Sequence, residues 1–162
     1  RWRWAARGRY RLSPSLDESS VLALNEESPS QALLISIGSE SPMHMPAPVL
    51  DVAGDFQRAN RWLVRSPLGS VGLYQKDQGT IEWTLRGPIA SVSISPAFPT
   101  DGVVLAGGFR SGIFRSTDGG QHWEQVLAQP STVIPGSDEI YEIVFLSPTN
   151  VLAIQGGRTT WQ

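Results

Sequence analysis

Three short stretches of this chain recur at an interval of 40 residues, and that interval limits the fold more than any other feature. "ALLIS" begins at Ala32, "GLYQK" at Gly72 and "GIFRS" at Gly112. The register continues through Leu33, Leu73 and Ile113, then through Leu34, Tyr74 and Phe114. Trp83 and Trp123 keep the same offset, with Met43 in the equivalent place of the earlier copy, and so do Pro48 with Pro88 and Val52 with Val92. Self-similarity at a fixed period of this length marks a repeat architecture, in which one supersecondary unit cannot bury its apolar face alone.

Each unit reads as short strands. "ASVSIS" alternates, "GVVLAGG" is an apolar run ending in glycines, "GIFRS" is brief and "HWEQVLA" carries a Trp and branched residues. The separators "SPAFPTDG", "GFRSG" and "TDGG" are rich in Pro, Gly, Asp and Ser, the residues of turns. Sixteen glycines and 12 prolines among 162 residues support many turns, while no segment shows the period of a long amphipathic helix. "DEIYEIVFL" has some helical periodicity, yet its alignment with "ASVSIS" predicts a strand. Four strands per 40 residues match the blade of a β-propeller, so the expected fold class is all-β, with about four blades.

The units run over 9–48, 49–88 and 89–138, followed by a partial one over 139–162. The third is lengthened by "AQPSTVIPGSDE", whose Pro, Gly and Ser mark a surface loop. Residues 1–8, "RWRWAARG", resemble the last strand of a blade. They could complete the partial unit and close a four-bladed ring, or the chain could be a slice of a larger propeller. The commoner ring sizes of six to eight blades favour the slice.

Composition narrows function. A net charge of −2 gives no electrostatic case for nucleic acid. The chain has no cysteine, which excludes disulfides and thiolate metal sites, and His44 and His122 alone do not make a metal spacing. No apolar run approaches the roughly 18 residues of a membrane-spanning helix. No glycine-bearing stretch opens a helix, so no phosphate loop or nucleotide cofactor is expected.

The densest motif is "STDGGQHW". An Asp in a tight turn accepts hydrogen bonds from nearby backbone N–H groups, and glycines after it can take the positive φ that such a turn demands. Ser116 can add a local bond, and Trp123 offers an apolar plate for packing. Asp118 therefore reads as a fold residue rather than a catalytic one. "YQKDQGTIEW" holds a worn copy in Asp77, Gly79 and Trp83, where the Asp-to-Trp distance is six residues instead of five.

Through Ser116, Asp118, Gly120 and Trp123 the motif resembles the Asp-box, Ser-x-Asp-x-Gly-x-x-Trp, of BNR repeats. Such repeats occur in sialidases, xyloglucan-cleaving hydrolases, sortilin-type receptors and photosystem II assembly factors. The resemblance implies a β-propeller of the broad WD40- or YVTN-like kind, a structural Asp-box at the blade periphery and an extracytoplasmic setting. Three functions follow. A non-catalytic scaffold for other protein subunits is favoured, as an accessory or assembly component. A sialidase-like glycoside hydrolase with its active site outside this chain is the second, and a carbohydrate-binding module the third.

The hydrolase reading lacks the early Arg-Ile-Pro motif that sialidases share, and Arg110 and Arg115 fall within the repeat pattern. Asp51, Asp55 and Asp101, placed on loops between strands, could supply a carboxylate, but glycoside hydrolysis requires a spaced pair. Candidate contact residues for a protein partner are Arg1, Arg3, Arg110, Arg115, Asp138 and Glu139. In "RWRW" the alternation of Arg1 and Arg3 with Trp2 and Trp4 suits a half-buried strand.

Overall fold

The computed structural model describes residues 9–15, 18–36, 39–54, 60–109, 111–128 and 140–155. The segments 1–8 and 156–162, Asp55, Arg110 and most of the 128–139 insertion lie outside them, and with them the expectations placed on Arg1, Arg3, Arg110, Asp138 and Glu139.

The described chain is almost wholly β. The first sheet holds β1 (Tyr10–Pro14), β2 (Ser20–Asn25), β3 (Gln31–Ser36) and β4 (Ser39–His44) in that order. The second holds β5 (Asp51–Ala53), β6 (Arg61–Arg65), β7 (Val71–Gln75) and β8 (Thr80–Leu85). The third holds β9 (Ile89–Ile94), β10 (Val104–Gly108), β11 (Gly112–Ser116) and β12 (Glu124–Leu127), and a last pair is formed by β13 (Ile140–Phe145) and β14 (Val151–Gln155). All neighbours are antiparallel and consecutive, so each sheet is a meander built from local pairings. First strands adjoin from sheet to sheet, β1 beside β5, β5 beside β9 and β9 beside β13, which is the inner lining of a β-propeller.

The 40-residue register marks third strands, since Ala32, Gly72 and Gly112 lie at the starts of β3, β7 and β11. "DEIYEIVFL" contains β13, so alignment prevails over its weak helical period. The only helix among the described residues is one turn, α1 (Phe98–Asp101), inside the separator "SPAFPTDG". Pro99 suits the first turn, and Gly102, at φ 60°, ends it in the left-handed region.

Strand patterning explains the stacking. In "RWLVR", Trp62 and Val64 point toward the first sheet, while Leu63 points toward the third. A strand buried on both faces reads as a continuous apolar run, and β6 and β10 both do so. Between the first two sheets lie Leu22, Leu24, Leu34, Met45, Val52, Trp62 and Tyr74. The Trp62 and Tyr74 rings meet tilted at 5.4 Å, and the Lys76 ammonium sits over the Trp62 ring at 5.5 Å. Leu63, Leu73, Leu85, Val104 and Ala106 fill the next interface, and Leu105, Ile140 and Ile143 the last.

Candidate functional site

The turn between β11 and β12 carries the densest side-chain bonding in the molecule's described part. Ser116 ends β11 fully buried, where its hydroxyl accepts the Gly120 N–H at 2.8 Å and donates to Asp118 Oδ1, also at 2.8 Å. The same Oδ1 accepts the backbone N–H groups of Gln121 and His122, each at 3.0 Å. Oδ2 pairs with His122 Nδ1 at 2.6 Å. Gly119 and Gly120 take φ values of 75° and 94°, which L side chains rarely adopt. Desolvation pushes the Asp118 carboxyl up, but hydrogen bonds from the His122 backbone and ring, the Ser116 hydroxyl and the Gln121 backbone outweigh it and hold the group far below the usual carboxylate range. A carboxylate so committed is a poor proton donor and a good turn brace.

The turn also reaches the preceding sheet. Trp123 Nε1 donates to Thr84 Oγ1 of β8 and to the Gly120 carbonyl, both at 3.1 Å, and Thr84 donates to that carbonyl at 2.6 Å. The Trp123 ring packs against the cluster containing Leu63, Val71 and Leu73. A Cβ on Gly120 would lie 2.7 Å from Leu63 Cδ2, so the second and third sheets meet here backbone to side chain. Gly119 N–H donates to the Gly102 carbonyl at 2.9 Å, tying in the β9–β10 connection.

That connection has its own brace. Ser95 Oγ accepts the Ala97 N–H and donates to Asp101 Oδ2, and Asp101 Oδ1 accepts the Val103 N–H. The Val103 N–H first and the Ser95 hydroxyl second lower the Asp101 carboxyl below its ordinary value.

In the worn copy the geometry differs. Gly79, at φ 63°, donates to the Gln75 carbonyl, and the Asp77 N–H is taken by the Asn60 side chain. The exposed Asp77 carboxylate accepts no hydrogen bond from a described residue. Trp83 lies within β8 and packs on the cluster between the first and second sheets, as Trp123 does one interface later.

Between these two turns opens a cleft of about 390 Å³ lined by Asn60, Arg61, Gln75, Phe98, Asp118 and Gln121 over Leu63 and Leu73. Arg61 donates to Gln75 Oε1 at 2.9 Å and weakly to Gln121 Oε1 at 3.4 Å, bridging the sheets across it. The rim is polar and the floor is formed by Leu63 and Leu73.

A second inter-sheet contact was hidden from the sequence. Asp51, expected on a loop, is the first residue of β5, because "DVA" pairs with "LVR" of β6. Its Oδ2 accepts both Nε and Nη2 of Arg65, the first at 2.7 Å, and its Oδ1 accepts Arg11 Nη1 from β1 at 3.1 Å. Arg65 also donates to the Ile89 carbonyl at 3.4 Å, so this clasp joins the first three sheets. Trp62 was likewise not singled out, though "RWLV" is the longest apolar break in its unit. Arg115 stands exposed on β11 opposite Glu124. His44 and His122 lie on β4 and in the turn, and no three His, Asp or Glu side chains gather among the described residues. Nor is any helix there long and apolar enough to cross a membrane.

No protein-family model and no curated protein matches the chain. Solved structures do. One described as "YCF48 bound to D1 peptide" superposes with a TM-score of 0.66 at 20% identity, over 93% of this chain and 49% of that one. YCF48 from Cyanidioschyzon merolae gives 0.60 at 15% identity, over 94% of this chain and 50% of that one. BBS1N in complex with ARL6DN gives 0.53 at 14% identity, over 90% and 44%. These propellers share the fold, and the chain spans about half the length of each.

Proposed function

We propose that this chain is a non-catalytic β-propeller scaffold that holds a protein partner, as an accessory or assembly subunit in an extracytoplasmic setting. The observation that carries the reading is the match over 93% of the chain to a propeller solved with a peptide bound. The site geometry supports it. Asp51, Asp101 and Asp118 spend their carboxylate oxygens on bracing turns and sheets, which leaves stiff, loop-decorated faces rather than poised proton donors. In this reading Ser116, Asp118, Gly120 and Trp123 form an Asp-box that fixes the blade, and the cleft beside it receives the partner's extended segment.

The experiment is a fluorescence-anisotropy titration of labelled peptides, a D1 peptide among them, against the wild-type chain and an Arg61→Ala, Gln75→Ala variant. Saturable binding that weakens roughly tenfold in the variant supports the reading, as loss of one or two hydrogen bonds to a charged or amide donor would give. Binding of oligosaccharides on a glycan array, with no peptide bound at all, would replace it with the carbohydrate-binding alternative.

A further inference from the structure

Arg61 is held differently from Arg11 and Arg65. Those two meet the Asp51 carboxylate, and the remaining ion pair among the described residues joins His122 to Asp118. Arg61 has neutral partners instead, with Nε donating to Gln75 Oε1 at 2.9 Å and Nη1 reaching Gln121 Oε1 at 3.4 Å. A guanidinium can only donate, so these contacts orient both amides. Gln121 is fixed a second time, because its Nε2 donates to the Asp118 carbonyl at 2.9 Å. Both amide oxygens are therefore spent on Arg61. What the three side chains still offer the cleft is donors: Arg61 Nη2, the Gln75 Nε2 group and the second hydrogen of Gln121 Nε2, none of which meets an acceptor on a described residue. The Asp118 carboxylate lines the same cleft, but the Ser116 hydroxyl and two backbone N–H groups occupy its Oδ1, and the His122 ring its Oδ2.

We infer, building on the proposed seating of a partner segment in this cleft, that the segment presents a carboxylate to Arg61, Gln75 and Gln121, with an apolar side chain beside it on Leu63, Leu73 and Phe98. A donor set whose amide oxygens are engaged favours a ligand group that only accepts, and a carboxylate does so with both oxygens. A hydroxyl, which must also donate, finds those oxygens already taken. Charge points the same way, since no described carboxylate pairs with Arg61 and an incoming anion displaces none. Exposed ion pairs usually gain little, because two long side chains must be ordered to form them. Here Gln75 and Gln121 already order the guanidinium, and a planar fork held still loses little more when the ligand arrives.

The test is a heteronuclear NMR titration of the nitrogen-labelled chain with acetyl-Leu-Glu-Leu amide, with its glutamine counterpart, and with acetyl-Leu-Gln-Leu ending in a free carboxylate. The glutamate peptide should shift the Arg61 Nε signal and the side-chain amides of Gln75 and Gln121. It should also bind roughly fivefold or more tightly than the glutamine amide, the effect of one charge-assisted hydrogen bond. A gain shown by the free-carboxylate peptide alone supports the same site, with a chain end as the source of the group. Gln75→Glu keeps an oxygen for Arg61 Nε but puts an anion where the free donor was. It should keep the backbone spectrum of the wild type and erase the preference for the carboxylate. Equal affinity for all three peptides overturns the inference and leaves segment binding intact. A preference that persists in Gln75→Glu also overturns it, because the carboxylate then sits elsewhere. No shift at the cleft with any peptide overturns both the inference and segment binding there.

Discussion

At the residue scale, the fold rests on a few polar side chains that finish what turns cannot pair for themselves. Asp118 is the clearest, because Gln121 N–H, His122 N–H and the Ser116 hydroxyl all converge on its Oδ1. Asp118→Ala strands those donors and is expected to cost about 1–3 kcal/mol in a urea titration at neutral pH. Asp118→Asn keeps an acceptor for the backbone and should cost less. Its carboxyl titrates below the ordinary value in the folded chain, and so does that of Asp101. The stability these groups supply is then fully present above the unfolded pKa of about 3.9 and is lost as pH falls from there toward the folded values. Wild-type stability should therefore drop between about pH 4 and 2, and Asp118→Asn should shallow that drop. Trp123 separates packing from hydrogen bonding. Trp123→Phe keeps a ring against Leu63 but gives up the Thr84 and Gly120 bonds, for about 1 kcal/mol. Trp123→Ala empties the site as well, and half-burial puts it near 3 kcal/mol, the low end for a lost aromatic.

At the scale of strands and sheets, close approach decides which element holds which. β13 lies over the middle of β9 and β10, where Ile143 N–H donates to Ser91 Oγ at 3.0 Å and Gly107 leaves room for Ile140 and Ile143. A Cβ at Gly107 would lie 2.6 Å from Ile143 Cδ1, so Gly107→Ala is expected to cost about 1–3 kcal/mol as overpacking. The loss should fall on β13 and β14 first, read as hydrogen-exchange protection that vanishes there while β6 and β7 stay protected. Much of this level was legible in the sequence. The 40-residue interval located the third strand of each of the first three sheets because a repeated strand needs the same alternation each time, and the alignment of "DEIYEIVFL" with "ASVSIS" correctly outweighed its helical period. The interval could not show that Trp83 is the fourth residue of β8, which starts three residues after Asp77, while Trp123 lies just before β12, which starts six residues after Asp118. The cleft was illegible for another reason. Its two walls, Asn60 to Gln75 and Asp118 to Gln121, become neighbours only when consecutive sheets stack.

At the scale of the whole molecule, the inner lining of the first three sheets needs something besides apolar packing, since β1, β5 and β9 touch one another only briefly. Arg11, Asp51 and Arg65 provide it, one residue from each of β1, β5 and β6, with Ile89 of β9 as the last acceptor. None of the three looked paired in sequence, because Arg11 and Asp51 are 40 residues apart and only the repeat's closure brings them together. Asp51 is the shared member, so its removal differs from that of either arginine. The Arg65 side chain is only 11% exposed and would keep its charge with a single weak carbonyl contact, whereas Arg11, at 46%, can turn to water. Asp51→Ala is therefore expected to cost about 2 kcal/mol, between the values for exposed and buried pairs, and Arg11→Ala less than about 1 kcal/mol. Asp51→Ala combined with Arg65→Met should recover part of the loss, because an apolar side chain of similar length removes the stranded charge. Urea midpoints of the three variants and the double variant measure this directly. Recovery in the double variant identifies the buried guanidinium as the source of the cost. An unchanged midpoint in Asp51→Ala would mean that apolar stacking alone holds the inner strands together.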